Sequence, residues 1–322
     1  MTCPLYTITK ANWIMTTLLL SVANILIGQQ DVFNRDNSGT GNWWDGANPW
    51  FYQFDGDRAR PDDFTRNDAY FGHNNNNPMT VNGAFFQLRD LNIQSTVTID
   101  RIYNAASGGG ISLSKGFYSA SANLQTFNVP FGVDGADVDF QAQSGDVLFT
   151  SDLFLNANNA VFDGPGIFTL DGPITGTGGR ITKNGTGITV FTNAGNTYNG
   201  TTQINNGTLQ LNPVSNTSLN TTFILNGGTL STSFITLNRI INTSGNLRLD
   251  ASSNIQLQNN IHELRFANSS GTTWNSSATL TIFGWQGLAA TSGTAGRIYI
   301  GSSNGGLTTA QLSQINFDGY AG

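Results

Sequence analysis

Asp134, Asp137 and Asp139, with Asp146 and Asp152 close behind, are the residues whose type and spacing could hold a divalent cation through oxygen ligands. Beside such a cation a lysine or arginine can remove a proton, and Lys115 and Arg101 are the nearest basic residues along the chain. No motif joins them to the carboxylates. Aspartate also punctuates turns, and turn chemistry is the reading taken, with a metal site at Asp134, Asp137 and Asp139 as the alternative. A second acidic group, Asp55, Asp57, Asp62 and Asp63, is interspersed with Arg58, Arg60 and Arg66 and lacks a calcium-loop pattern, so solvated pairing explains it. The two histidines, His73 and His262, fit neither a triad nor a metal spacing, and His262-Glu263 reads as a surface pair. Trp43, Trp44 and Trp50 could stack on sugar rings, although aromatics packed into a chain end are the commoner arrangement. Gly176-Thr177-Gly178-Gly179 leads into a strand pattern, which excludes a dinucleotide loop. We assign no catalytic residue, cofactor or metal from these patterns.

The elements that must position these residues are short strands. Gly187–Phe191, Gly200–Ile204 and Gly207–Leu211 are runs of β-branched and apolar residues separated by Gly, Asn and Thr turns, and none has helical spacing. Alternation sends Ile188, Val190, Leu209 and Leu211 to one face and Thr189, Thr208 and Gln210 to the other. One such triplet cannot bury its apolar face alone. Similar runs open at Gly187, Gly207, Gly228 and Gly245, spaced by 20, 21 and 17 residues. A period near twenty is what one coil of a parallel-strand solenoid requires.

The segment from Gly176 to Leu211 resembles the autotransporter-associated β-strand repeat. Gly178, Ile181, Lys183, Gly185, Gly187, Ile188 and Val190 fit its first half. Asn196, Thr197, Tyr198, Gly200, Thr202, Ile204, Gly207, Thr208, Leu209 and Leu211 fit the second. The resemblance implies a secreted bacterial β-helix surface protein, adhesin-like and of the Bacteroidetes type. Two flanking segments resemble such proteins as well: Asn42, Trp43, Ala47, Asn48 and Trp50 before the repeat, and the stretch from Leu264 to Tyr320 after it. In those relatives the chain continues into a sorting or anchoring signal, so Gly322 is expected to be a truncation point.

Composition narrows the function. Gly supplies 38 of 322 residues, charged residues are 11%, and net charge is −6 with lysine only at positions 10, 115 and 183, so no basic patch exists for nucleic acid. Residues 1–28 read as a secretory signal: Lys10 precedes an apolar stretch from Trp13 to Ile27 that is too interrupted for a membrane span. The single cysteine, Cys3, falls inside it, so the mature chain has no thiol chemistry and no span. The expected fold is all-β: a right-handed parallel β-helix over residues 80–260, an N-terminal cap at 29–79 and a C-terminal cap at 261–322. A short helix is expected near Leu307–Ile315, N-capped by Thr308 or Thr309. The expected function is a non-catalytic exported stalk or adhesin passenger, extracellular or on the bacterial surface. Its expected partners are glycans, a host or matrix surface, or further copies of itself. The alternative is a polysaccharide lyase or glycoside hydrolase of the pectate-lyase type.

Overall fold

The computed structural model describes residues 31–34, 50–52, 58–59, 68–71, 79–81, 85–105, 108–236, 238–287 and 293–318. The expected signal segment, Trp43, Trp44, His73 and the group Asp55, Asp57, Asp62 and Asp63 lie outside the described residues.

Strand by strand the chain pairs with itself one coil back. Asp139 lies opposite Val161, Val161 opposite Thr182 and Phe223 opposite Leu247, all in parallel ladders. The ladders form sheets of fifteen, eleven and four strands, here called the long, second and third sheets. Together they make a parallel β-solenoid of about nine turns, as the Gly-spaced runs predict. The three strands of the repeat fall at Ile188–Phe191, Thr201–Ile204 and Thr208–Leu211. Ser95–Ile99, a run of β-branched residues with a strand-like composition, is a turn: Val97 N–H donates to Gln94 O at 3.0 Å and the Val97 side chain is fully buried. Its β-branched residues line a corner, not a ladder.

Because every coil repeats the same register, inward side chains stack in columns. One runs Phe117, Phe140, Phe162, Lys183, Ile204, Leu225, Leu249 through the long sheet. A facing column in the second sheet runs Tyr103, Phe127, Phe149, Leu170, Phe191, Leu211. The early coils therefore have an aromatic core, with Tyr103 and Phe127 stacked at 4.2 Å and Phe149 edge-on to Phe131 at 4.9 Å. Outside, asparagines ladder from coil to coil: Asn205 Nδ2 donates to Asn184 Oδ1 at 2.6 Å and Asn226 Nδ2 to Asn205 Oδ1 at 2.8 Å. The repeat's tyrosine is an internal post: Tyr198 Oη shares a hydrogen bond with Thr202 Oγ1 at 2.6 Å, and Thr202 with Thr221 at 2.9 Å, all buried.

The expected face assignment is reversed in the strand Ile188–Phe191. Phe191 occupies the inward column between Leu170 and Leu211, and a side-chain period of two then places Thr189 inside and Ile188 and Val190 outside. The larger ring decides the parity. Thr189 is consequently fully buried, between Phe168 and Leu209, and its hydroxyl has no hydrogen-bond partner. Thr189→Val keeps the shape and removes the orphan group, so its chemical unfolding free energy should rise by about 1 kcal/mol.

Lys183 is another polar intrusion, 2% exposed in a column of phenylalanine and aliphatic residues. Its Nζ donates to Gly185 O, and burial pulls the ammonium down to about 8. Below that pH both folded and unfolded chains hold the proton and the burial cost is fully present. Above it the folded chain releases the proton while the unfolded chain, near 10.4, still binds it, so stability rises with pH. Between pH 8 and 10 we expect a gain of about 2 kcal/mol in the wild type. The slope should be absent in Lys183→Met, as read by urea unfolding across that range.

Both ends of the long sheet depart from the coil. At the first end Asp31–Asn34 pairs in parallel with Asp68–Phe71 but antiparallel with Trp50–Tyr52, which pairs antiparallel with Arg58–Ala59. At the last strand, Leu247–Ala251, Trp274 Nε1 donates to Leu247 O at 3.0 Å and Asn275 N–H to Leu249 O at 2.8 Å. A helix of one turn, Thr309–Leu312, holds that covering segment. Thr308 and Gln311 form its capping box, and Gln311 Nε2 reaches Ser269 O and Thr272 O at 3.0 and 2.9 Å. The expected helix is present but stops early, since Ile315 already opens a strand. Covering an exposed edge is the task expected of caps.

Candidate functional site

Among the described residues, a cluster of interacting charges lies on the outer face of the long sheet, across its early coils. In the strand Phe85–Ile93 the register shifts between Leu88 and Asp90, a bulge that brings Arg89 and Asp90 together on the outer side. Arg89 is bidentate on the Asp68 carboxylate of the preceding coil, Nε to Oδ1 at 2.8 Å and Nη2 to Oδ2, and its Nε also reaches Asp90 Oδ2 at 3.0 Å. Going up the rod, Asp90 lies opposite Gly116 and Gly116 opposite Asp139.

Gly116 leaves room for the tip of the Tyr118 side chain. A Cβ there would sit 2.6 Å from the Tyr118 ring, so the phenol is folded over the backbone between the two carboxylates. Burial, and then the charges of Asp90 and Asp139, push the Tyr118 phenol up. Asp90 is pushed up to about 6, first by burial and then by the Asp68 charge, and its Oδ1 is buried with no hydrogen-bond partner. Burial also raises Asp139, with Asp163 and Asp137 acting in the same direction and Lys115 opposing them. A carboxyl titrating near 6 is suited to proton transfer close to neutrality. Asp90 and Asp139 are two strands apart, about 10 Å at the usual spacing.

The sequence-derived candidates distribute as follows. Asp137 and Asp139 both point outward from Asp137–Ala142, and Asp137 Oδ1 accepts from Asn159 Nδ2 at 2.9 Å. Asp134 is exposed on the turn before them. Among the described residues no group of three or more His, Cys, Asp or Glu side chains is placed to hold a metal ion. Lys115 joins the field around Asp139, whereas Arg101 belongs to the second sheet, with its guanidinium 5.5 Å above the Tyr103 ring. Trp50 opens the strand Trp50–Tyr52.

His262 is not half of a surface pair. It is fully buried, with Nδ1 bonded to Asn260 O at 2.7 Å and Nε2 to Thr232 Oγ1 at 2.8 Å, and burial lowers its affinity for a proton. Glu263 faces out and pairs with Arg265. Strand parity separates the two neighbours.

Sequence inspection missed Asp68, Arg89, Asp90 and Tyr118 as a unit. The available signal was a spacing of one coil: Asp68 and Asp90 stand 22 positions apart.

Residues 181–211 match the model of the passenger-associated-transport-repeat family. No curated protein and no solved structure gives a significant match. Among the described residues no helix is long and apolar enough to cross a membrane.

Proposed function

From a transport-associated repeat set in a parallel β-solenoid, which together fit an autotransporter passenger domain, we infer that this chain is the structural, non-catalytic part of an exported protein. It acts as a stalk that holds polar faces away from a bacterial surface for contact with cells or matrix. The observation that carries this reading is the fusion of repeat and scaffold: the residues matching the repeat are the ones that make a coil, with Tyr198 and Thr202 bonded inside and Ile204, Leu209 and Leu211 in the core. A stack of such coils gains stability from its neighbours at every step and needs no disulfide. Its test is protease shaving and antibody labelling of intact cells that express the full reading frame. Release of the rod by external protease is the expected result, and protection until lysis would overturn it.

A carbohydrate-cleaving enzyme is the second reading, favoured by Asp90 at about 6 and by the raised Asp139 on the same face. Incubation with neutral and acidic polysaccharides separates the two readings. Product release by the wild type that disappears in both Asp90→Asn and Asp139→Asn would establish the enzyme.

A further inference from the structure

The third sheet carries a feature that neither the repeat nor the acidic face accounts for. Its strands, Thr217–Leu219, Arg239–Thr243, His262–Phe266 and Gly296–Ile300, align one outward row in register: Ser218, Asn242, Arg265, Tyr299. Asn242, Arg265 and Tyr299 of this row, with Ser244, Asn268, Ser302 and Ser303 on the adjoining turns, line an open groove of about 790 Å³. That volume lies in the range of small-molecule sites.

The chemistry of the groove is specific. Tyr299 stands on the edge strand of its sheet and is 41% exposed. Arg265 lies 5.6 Å from its ring centroid and supports it from the preceding rung. The ring is therefore fixed at the end of the row yet open to solvent. A flat aromatic platform of this kind takes the C–H face of a sugar ring. The polar part of the lining is the amides of Asn242 and Asn268 and the hydroxyls of Thr243, Ser244, Ser302 and Ser303, which pair with sugar hydroxyls in either direction as donor or acceptor. Phe266, Ala267, Ile298 and Ile300 supply an apolar remainder. Arg265 is the one charged side chain in the lining, and its Nε donates to Glu263 Oε2 at 2.7 Å. Its charge is matched within the protein, which leaves no unpaired cation to recruit an acidic sugar. The row also runs along the rod axis, with one side chain for every strand, about 4.8 Å apart. A linear polymer lying in the groove would meet a polar group at each step.

We propose that this groove binds a neutral, linear oligosaccharide, with Tyr299 as the stacking platform and Asn242 as a hydrogen-bonding contact on its floor. The proposal stands apart from the acidic face and from any catalysis there. It requires only that the third sheet be open to the medium.

The test is titration calorimetry of the whole chain with cellohexaose and laminarihexaose, and with a hexameric oligogalacturonate as the acidic comparison. Binding of a neutral hexamer is expected. Tyr299→Ala should weaken it roughly tenfold or more, as loss of a central aromatic contact does, while Tyr299→Phe keeps it. Asn242 is exposed, so Asn242→Trp should obstruct the groove without touching the core and gives a second readout should Tyr299→Ala fold poorly. Gln143→Ala, exposed on an early coil away from the third sheet, should bind as the wild type does. Binding of the acidic hexamer alone, or wild-type affinity in both Tyr299→Ala and Asn242→Trp, would overturn the proposal. Neither result would bear on surface display, which protease shaving reads independently.

Discussion

Phe117→Ala is expected to lower the unfolding free energy by about 3–5 kcal/mol, the range for truncating a buried aromatic. Phe117 is fully buried, and its ring centroid lies 5.2 Å from Phe127, 5.6 Å from Phe149, 6.2 Å from Phe131 and Phe140 and 6.4 Å from Phe168. Those five partners come from both the long and the second sheet, so the ring bridges the two walls of the coil. Coils above and below hold the backbone in place by ladder hydrogen bonds, and the walls cannot collapse into the space left. The cavity cost should therefore be near the upper end. Hydrogen exchange offers a sharper check than a global midpoint, because each coil of a repeat protein interacts mainly with its neighbours. Amides of strands Arg101–Ala105 through Ile167–Leu170 should lose protection first, ahead of Leu247–Ala251. A loss below about 1 kcal/mol, or uniform loss of protection along the rod, would show that the aromatic cluster does not hold the early coils together.

What the sequence made legible follows from how local each signal is. The period near twenty and the strands at Ile188–Phe191, Thr201–Ile204 and Thr208–Leu211 were readable, because β-branched runs between Gly and Asn turns are a property of consecutive residues. So was the helix at Thr309–Leu312, since its capping residues Thr308 and Gln311 lie three apart. The orientation of Thr189 was not readable from its own run. It depends on Phe191 finding its column between Leu170 and Leu211, a matter of register with two other coils. His262 was misread for the same reason: being next to Glu263 in sequence says nothing about which side of the sheet each faces. The cluster of Asp68, Arg89, Asp90, Tyr118 and Asp139 is assembled from four coils and a bulge, and no contiguous motif records it. The groove beside Tyr299 has the same origin, with serines and asparagines that are unremarkable in composition and gain meaning only when strands place them in one row.

Gly187→Ala is the second substitution with a large expected effect, and it tests the origin of the repeat itself. The glycine opens the run that the period was read from. In the fold its N–H donates to Gly164 O at 3.0 Å and its own carbonyl accepts from Thr208 N–H at 3.1 Å, so it is hydrogen-bonded to the coil below and the coil above. A Cβ at this position would lie 2.1 Å from Gly166 O and 2.6 Å from the Pro165 carbonyl carbon. These are backbone atoms of the neighbouring coil and cannot rotate aside as a side chain would. Relief requires the two coils to separate, which strains both of those hydrogen bonds and the parallel pairing of Ile167–Leu170 with Ile188–Phe191 that follows. We expect a loss of about 3 kcal/mol, the upper end of overpacking costs, measured by urea unfolding. Gly271→Ala is the control: a Cβ there meets nothing within 4 Å, and the midpoint should stay within about 0.5 kcal/mol of wild type. Equal behaviour of the two variants would mean that glycine recurs for turn flexibility alone. A large loss at 187 with none at 271 would show that the period is set by how closely one coil lies on the next.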